Sequence, residues 1–313
     1  MILADHSAPI GPDWRSRIYP IGDLHITLKS FDYQGFKDYI ELIKSDPYGV
    51  AIVMGDISDA RDRRHRYYDP EAISNRYRID EVDILEDRVL EDALELLSPI
   101  AGQLLGVLRG NHHMAGFTRR LTRQLSTVAG REVPDLGDRA MIRIKWGVGR
   151  PGRPQGEFTT VIFAAHRDSG SRKPGAQLNN QLDVLVSYEA DIYLFAHSHR
   201  VTSYVQPRAY LAPRGSLTPI VRQRLMLNAG AWQRPLWDRN SYVDEKNLPM
   251  QAARKLVVEM RREHQATRPG AKRYVYTPYA VDLGVVQERL KNKKNDRSRL
   301  NWAHSSHCDS DPA

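Results

Sequence analysis

The chain has 313 residues, of which 41% are hydrophobic and 27% charged, and 46 lysines and arginines against 38 aspartates and glutamates give it a formal net charge of +8. A hydrophobic share of this size is usual for globular proteins and argues against global disorder or a fibrous repeat. The positive charge favours an anionic partner, with DNA or RNA as the candidate, or it serves solubility alone.

Cysteine content and hydropathy suggest where the protein works. The single cysteine, Cys308, has no partner for an intramolecular disulfide, which fits a reducing compartment. The first 14 residues include acidic residues, a histidine and two prolines, where a signal peptide needs an apolar stretch. No segment approaches the roughly 18 consecutive apolar residues of a membrane span. We therefore expect a cytoplasmic protein that does not enter membranes.

The first elements form a strand–helix–strand pattern. Residues 17–21 and 50–54 are apolar segments that predict buried strands, and each is followed by Gly-Asp, which places Asp23 and Asp56 at the strand ends. Residues 36–43 carry apolar side chains at the i, i+3, i+4, i+7 spacing of an amphipathic helix. A βαβ unit brings the carboxyl ends of its parallel strands to one sheet edge. Asp23 and Asp56 should meet there.

The same patterns predict further elements along the chain. The predicted strands are 104–108, 158–165, 192–195, 225–227 and one near 273–281, and the predicted helices are 82–97, 117–128, 178–188 and one near 252–262.

Most of these predicted strands are followed by residues of types that commonly bind metals. Divalent cations that activate water take oxygen and imidazole ligands, and a carboxylate can bridge two of them. The candidate ligands are Asp23, His25, Asp56, Asn111, His166, His197 and His199. Each motif alone also fits a solvent-exposed turn or strand end, but the whole set indicates a metal centre.

The order Asp-x-His, Gly-Asp, Gly-Asn-His, His, x-His-x-His, over residues 22–199, resembles the calcineurin-like metallophosphoesterase superfamily. The resemblance implies an α/β fold of four αββα layers, in which two mixed sheets pack face to face with helices outside. It also implies two divalent cations, for which we expect manganese, with iron, zinc or nickel as alternatives. The implied ligands are Asp23, His25, Asp56 and His199 for the first cation, and Asp56, Asn111, His166 and His197 for the second.

Two further residues, His112 and Arg109, are predicted to act on the phosphate of the substrate. The resemblance implies that His112 does not bind metal but stabilises the attacked phosphate or protonates the leaving oxygen. Arg109 is a candidate phosphate clamp, because a guanidinium group matches two phosphate oxygens.

The chain departs from the family pattern at three positions. His113 stands where the family usually has an acidic residue that orients the catalytic histidine, and Asp59 is the candidate to replace it. Ala196 stands where glycine is usual, and Arg167 where a small residue is common. The signatures of the protein Ser/Thr phosphatase branch are absent, which disfavours that branch.

The domain prediction follows from these motifs. Residues 14–236 should form the catalytic domain, with an arginine- and tyrosine-rich insertion loop at 61–80 that suits base stacking with phosphate contacts or a lid over an anionic substrate. Residues 237–290 should add a helix and a strand, and 291–313 a mobile basic tail.

The predicted function is hydrolysis of a phosphate ester, with nucleic acid or a nucleotide as the preferred substrate class. One alternative is a phosphatase of a small phosphorylated metabolite. Another is a nucleic-acid-binding protein whose metal site is not catalytic.

Overall fold

The structure of the chain is a computed structural model that describes residues 1–11, 14–59, 73–77, 85–112, 116–147, 149–150, 153–154, 158–166, 173–211, 219–234, 255–266 and 272–283. The strands are β1 (Ile2–Pro9), β2 (Arg15–Ile21), β3 (Gly49–Val53), β4 (Leu104–Val107), β5 (Arg139–Gly147), β6 (Gly149–Arg150), β7 (Arg153–Pro154), β8 (Phe158–Ala165), β9 (Ile192–Phe195), β10 (Val201–Leu211), β11 (Pro219–Ala229), β12 (Leu256–Ala266) and β13 (Lys272–Asp282). The helices are α1 (Tyr33–Lys44), α2 (Leu85–Leu97), α3 (Phe117–Ala129) and α4 (Pro174–Ser187), with a 3₁₀ helix at Ser98–Gln103.

The strands form two mixed sheets and a short β6–β7 hairpin. The six-stranded sheet has the order β1-β5-β8-β9-β11-β10, and the five-stranded sheet has the order β13-β12-β2-β3-β4. Strands β8, β9 and β11 are parallel to one another, as are β2, β3 and β4. Each sheet therefore contains a parallel group whose carboxyl ends share one edge.

Three apolar layers join the sheets and helices. One core lies between the sheets and includes Ile18 and Ile52 of one sheet with Ile142 and Leu194 of the other. A second joins the outer face of the five-stranded sheet to α1, α2 and α3, and a third joins the outer face of the six-stranded sheet to α4. The layer order is helix, sheet, sheet, helix, so the predicted αββα sandwich is confirmed.

Helix α1 shows how the sequence determines the local structure. Its N-terminus is capped by Asp32, whose side chain accepts a hydrogen bond from the Gly35 backbone N–H at 3.2 Å. The helix buries its predicted apolar face, Phe36, Tyr39, Ile40 and Ile43, against the five-stranded sheet. The helix predicted over 36–43 is confirmed, with about one further turn.

The helix predicted near 252–262 is wrong, because residues 256–262 belong to strand β12, while residues 252–254 lie outside the described part of the chain. Leu256, Val257, Val258 and Met260 are all buried there. Val257 belongs to the outer core and the other three to the core between the sheets, so both faces of the strand are covered. A continuous apolar run does not distinguish a buried strand from a buried helix. Pairing with β2, in which Val258 lies opposite Ile18, selects the strand.

The remaining predictions agree with the structure to different degrees. The strand predicted near 273–281 is confirmed as β13, and the strand predicted at 225–227 is the end of the longer β11. Strands β1, β5 and β10 were not predicted. Strands β12 and β13, from the predicted extension, complete the five-stranded sheet. Of the insertion loop only residues 73–77 are described, and the tail 291–313 lies outside the described residues.

None of the helices in the described part of the chain is both long and apolar enough to cross a bilayer.

Candidate metal centre

The seven predicted ligands converge at the carboxyl ends of the parallel strands. Asp23 follows β2, Asp56 follows β3 and Asn111 follows β4, whereas His166 follows β8 and His197 follows β9. The two sheets thus contribute to a single cluster on one end of the sandwich. Acidic and imidazole side chains in this cluster form groups whose potential ligand atoms all lie within 4.8 Å of one another.

The first group consists of Asp23, His25 and His199. The Nε2 atoms of His25 and His199 are 3.0 Å apart, and His199 Nε2 lies 3.4 Å from Asp23 Oδ2. Asp23 and His25 are almost fully buried. These are three of the four ligands that the resemblance implies for the first cation.

The second group consists of Asp56, His166 and His197. Asp56 Oδ2 lies 3.1 Å from His166 Nε2 and 4.0 Å from His197 Nδ1. Asn111 joins this group, because its Oδ1 is 3.0 Å from His166 Nε2. All four ligands implied for the second cation are therefore together, and His166 Nδ1 lies 3.7 Å from Asp23 Oδ1 of the first group.

The arrangement of polar atoms in the cluster suits bound cations better than it suits hydrogen bonding within the cluster. Among the described residues, Asp23 Oδ1 and Asp56 Oδ2 are buried without a hydrogen-bond partner, and His166 Nε2, which lies 3.1 Å from Asp56 Oδ2, is also 3.0 Å from Asn111 Oδ1. A buried carboxylate oxygen without a partner is costly. Oxygen and imidazole nitrogen atoms are the ligands that divalent transition metals prefer. The donor set therefore fits divalent cations.

Burial and neighbouring charges shift the pKa values of several side chains in the cluster. Burial raises the pKa of Asp23 to about 7, despite the opposing charge of His166. Burial would raise the pKa of Asp56 too, but His166 and His197 beside it hold that pKa well below its usual range. Burial lowers the pKa of His199 to about 3, with His25 acting in the same direction. Such opposed shifts among neighbours are common at functional sites.

Two histidines of the cluster, His25 and His166, have raised pKa values. Burial would lower the pKa of His25, but the carboxylate of Asp59 outweighs it and raises the pKa to about 9. For His166, burial is outweighed by the adjacent carboxylate of Asp56 and by the charge of Asp23, and the pKa again rises to about 9. The carboxylates therefore attract positive charge to both imidazoles, whether it is carried by a proton or by a metal ion.

The backbone is strained at the same positions. Among the described residues, five that are not glycine have a positive φ, and four of them are candidate ligands: His25 (50°), Asp56 (40°), His197 (74°) and His199 (56°). Such conformations cost of order 1–3 kcal/mol each and persist where the surroundings enforce them, which is frequent at active sites.

Two glycines allow close approach to the cluster. A Cβ atom added at Gly110 would lie 2.1 Å from Asp56 Oδ1 and 2.3 Å from the Asp56 backbone nitrogen. One added at Gly55, where φ is +106°, would lie 2.4 Å from His166 Nδ1. The glycines of the Gly-Asp and Gly-Asn-His motifs are thus required sterically.

Asp59 connects a candidate ligand to the predicted catalytic histidine. Its two carboxylate oxygens contact Nδ1 of His25 and Nδ1 of His112. Its backbone N–H donates to Thr27 Oγ1 at 2.9 Å, which fixes its position. Burial would raise the pKa of Asp59, but the charge of His25 and contacts with His112 hold it well below its usual range. Asp59 thus contacts His112 as expected of a replacement for an acidic residue at His113.

His112 lies at the edge of the cluster, with Nε2 3.7 Å from Asp56 Oδ2. His113 and Arg167 lie outside the described residues, and Ala196 is fully buried in the core between the sheets. The catalytic role of His112 stays a prediction.

Arg109 is already paired. Its Nε and Nη2 atoms lie 3.1 and 2.9 Å from the two carboxylate oxygens of Asp135, and about half of its side chain is exposed. A clamp role for Arg109 would require it to leave Asp135, and this role also stays a prediction.

Two sets of hydrogen bonds that the sequence did not predict hold candidate ligands or the loop that carries them. Asp56 Oδ1 accepts the backbone N–H groups of Asn111 and His112 at 2.8 and 3.1 Å. Asn228 Nδ2 donates to the hydroxyl of Ser198, between two candidate ligands, at 2.6 Å. A polar asparagine at the end of the apolar strand β11 is the signal that could have identified Asn228.

Comparisons with known proteins give similarities only among solved structures, since no family model and no curated protein matches the chain. A Streptococcus pneumoniae protein described as a predicted phosphoesterase is 13% identical, with a TM-score of 0.32 over 84% of this chain and 98% of that one. Vps29 of Chaetomium thermophilum is 11% identical, with a TM-score of 0.34 over 85% and 98%. The NAD nucleotidase of Haemophilus influenzae is 10% identical, with a TM-score of 0.34 over 86% and 50%. The interpretation of the site therefore depends on this chain's own geometry.

Proposed function

We propose that the chain is a dimetal-dependent hydrolase of phosphate esters. The observation that carries the proposal is the convergence of the two ligand groups, Asp23 with His25 and His199, and Asp56 with His166 and His197, at one end of the sandwich. Two carboxylates and four imidazoles in adjacent groups are the donors expected of a two-metal hydrolytic site.

The cations would supply charge to bind the phosphate and to acidify a water molecule for in-line attack. Asp56 is the candidate bridging ligand, since its Oδ2 is near His166 and His197 while its Oδ1 is fixed by two backbone N–H groups. A carboxylate held in this way presents one oxygen to the centre in a fixed direction.

His112 is the candidate proton donor to the leaving oxygen. Asp59 contacts its Nδ1 atom, which holds a hydrogen on Nδ1, and Nε2 is directed toward the cluster. The imidazolium form of His112 would give its Nε2 proton to the leaving oxygen and return to the neutral tautomer with hydrogen on Nδ1. Because Asp59 also contacts His25, one carboxylate positions both a ligand and the proton donor.

The substrate we favour is a phosphodiester of nucleic acid or a nucleotide, so that the activity would be that of a phosphodiesterase or nuclease. The net charge of +8 supports an anionic polymer as substrate. A phosphatase of a small phosphorylated metabolite is the alternative, and it would prefer monoesters and bind polynucleotides weakly.

The direct test is hydrolysis of bis-p-nitrophenyl phosphate with added manganese. We expect Asp56→Asn to lose at least about 100-fold in rate, because a buried ligand is altered. Asp183→Asn, on the exposed face of α4, is the matched control and should retain the rate. Equal rates for Asp56→Asn and the wild type would contradict the proposal.

The same preparation discriminates the binding-protein alternative. DNA affinity that is independent of metal and falls steeply with salt, with no turnover of any mono- or diester, would favour a nucleic-acid-binding protein with a non-catalytic metal site.

A further inference from the structure

Asn228, near the end of β11, contacts the loop that carries the candidate ligands His197 and His199. It is buried, with 1% of its surface exposed. Its Nδ2 atom donates to the hydroxyl of Ser198 at 2.6 Å, and its Oδ1 atom accepts the backbone N–H of Gly230 at 3.3 Å. Because a backbone N–H can only donate, it determines which amide atom of Asn228 is the oxygen. Both ends of this buried amide therefore have partners.

The turn after β11 also holds Asp23 of the first ligand group. The carbonyl of Gly230 accepts the backbone N–H of Asp23 at 3.1 Å, and Asp23 Oδ2 accepts the backbone N–H of His197 at 2.9 Å. Together with the two bonds of Asn228, these contacts close a hydrogen-bond ring through Asp23, His197, Ser198, Asn228 and Gly230. Asp23 follows a strand of the five-stranded sheet, and the other members belong to or follow strands of the six-stranded sheet. The ring thus joins ligands that the two sheets supply.

The loop between β9 and β10 needs restraint because its two candidate ligands are strained. The φ angles of His197 and His199 are 74° and 56°, in the left-handed region that residues other than glycine rarely adopt. Such conformations persist where surrounding contacts enforce them. The bond from Asn228 reaches Ser198, the residue between the two histidines. It therefore restrains the loop at the position where both ligands are affected.

We infer that Asn228 is a positioning residue of the metal centre, an inference that rests on the two-cation site of the proposed function. It holds the loop of His197 and His199, and through the turn after β11 it holds Asp23. Asp23 and His199 belong to the first ligand group and His197 to the second. Loss of the Asn228 side chain should therefore weaken the binding of both cations rather than of one.

The test compares Asn228→Ala, Ser198→Ala and the double variant with wild type in the full chain. Thr202→Val is the matched control, because Thr202 lies opposite Asn228 on β10 but is exposed and outside the hydrogen-bond ring. Ile142→Ala is the control for lost stability, because Ile142 is buried between the sheets in β5, which β8 separates from β9. The readouts are manganese affinity and stoichiometry by calorimetry, urea denaturation of chelator-treated protein, and the rate of bis-p-nitrophenyl phosphate hydrolysis.

For Asn228→Ala we expect the manganese dissociation constants of both sites to rise on the order of 10- to 100-fold, the usual effect of losing a group that orients ligands. Ser198→Ala should weaken both sites as well. The double variant should lose no more affinity than Asn228→Ala, because two residues that act through one bond have non-additive effects. Thr202→Val and Ile142→Ala should bind manganese with wild-type affinity, although Ile142→Ala is less stable.

Wild-type manganese affinity in Asn228→Ala would overturn the inference. Additive losses in the double variant would also overturn it, as would an equal loss of affinity in Ile142→Ala, since either result assigns Asn228 a general structural role. If Asn228→Ala does not fold, Ser198→Ala decides alone, because it removes the same bond from a partly exposed residue. Wild-type affinity in that variant would then contradict the inference.

The readouts separate this inference from the proposed function. A wild-type protein that binds two manganese ions but hydrolyses no ester, with weaker binding in Asn228→Ala, contradicts the proposed function and supports the inference. A wild-type protein that hydrolyses the diester while Asn228→Ala keeps the wild-type manganese affinity does the reverse.

Discussion

Asp59 contacts both His25 and His112 through its carboxylate group. Replacing it with asparagine keeps the shape but removes the negative charge that both imidazoles contact. We expect Asp59→Asn to lower kcat by about 10- to 100-fold, the usual effect of losing a group that orients ligands. Steady-state kinetics with Asp183→Asn as control measure this, and a kcat within twofold of wild type would show that Asp59 positions neither histidine.

Histidine protonation predicts how stability depends on pH when chelator has removed divalent cations. The pKa values of His25 and His166 are raised to about 9, above the ordinary 6.5. The stability that these groups contribute is fully present below pH 6.5 and is lost as pH rises through 9. The Tm of chelator-treated protein should therefore fall between pH 7 and 9.5.

Saturating manganese should remove most of that decline, because a bound cation replaces the protons on the imidazoles. Thermal denaturation across this pH interval, with and without metal, is the measurement. A chelator-treated protein whose Tm is constant or rises from pH 7 to 9.5 would contradict the electrostatic description of the cluster.

The sequence indicated the candidate ligands because most of them follow a short apolar strand that the local pattern identifies, as for Asp56 after β3 and His166 after β8. It did not single out Asn228, whose importance depends on its contact with Ser198, 30 residues away in the chain. The clamp prediction for Arg109 likewise could not include its pairing with Asp135, 26 residues away.

At the scale of elements, the loop after β4 must pass very close to the loop after β3. Gly110→Ala would place a Cβ atom 2.1 Å from Asp56 Oδ1, so one loop must move. We expect a loss of metal binding and a destabilisation of roughly 1–3 kcal/mol, as for other overpacked sites.

Gly102→Ala is the matched control for this substitution, because no atom lies within 4 Å of the added Cβ. Metal titration and urea denaturation of both variants measure their metal affinity and their stability. The steric argument fails if Gly110→Ala binds metal with wild-type affinity.

Elements with a clear period were predicted best. Helix α1 was identified from the periodic spacing of its apolar residues, and strand β9 from a short continuous apolar run that is buried throughout. Strand β12 was mistaken for a helix because its type is decided by pairing with β2, a segment more than 200 residues earlier. Strand β1 was missed for a similar reason, since it joins its sheet only by pairing with β5.

At the scale of the whole molecule, the centre depends on the packing of the two sheets, because each sheet supplies part of the ligand set. Leu194, in β9, is fully buried in the layer between the sheets. We expect Leu194→Ala to lower the free energy of unfolding by about 2–5 kcal/mol through loss of buried surface and a residual cavity.

Val186→Ala is the control, because Val186 is 79% exposed on α4 and should change stability by no more than about 0.5 kcal/mol. Equilibrium denaturation of both variants measures the difference. Equal stabilities would mean that the two sheets are not held together by this layer.

The sandwich itself was predicted only through the resemblance of the motifs, since composition and periodicity specify sheets and helices but not how two sheets face each other. The position of the candidate metal centre follows from that arrangement, because two sets of parallel strands end at the same side.

The most direct test of the central claim is a crystal structure of the manganese-soaked protein with anomalous scattering recorded for the metal. We predict two peaks about 3.5–4 Å apart, one among Asp23, His25 and His199 and the other among Asp56, His166 and His197, with Asp56 coordinating both. Manganese absent from these side chains, or bound with Asp56 uncoordinated, would contradict the claim that this chain holds a two-metal hydrolytic centre.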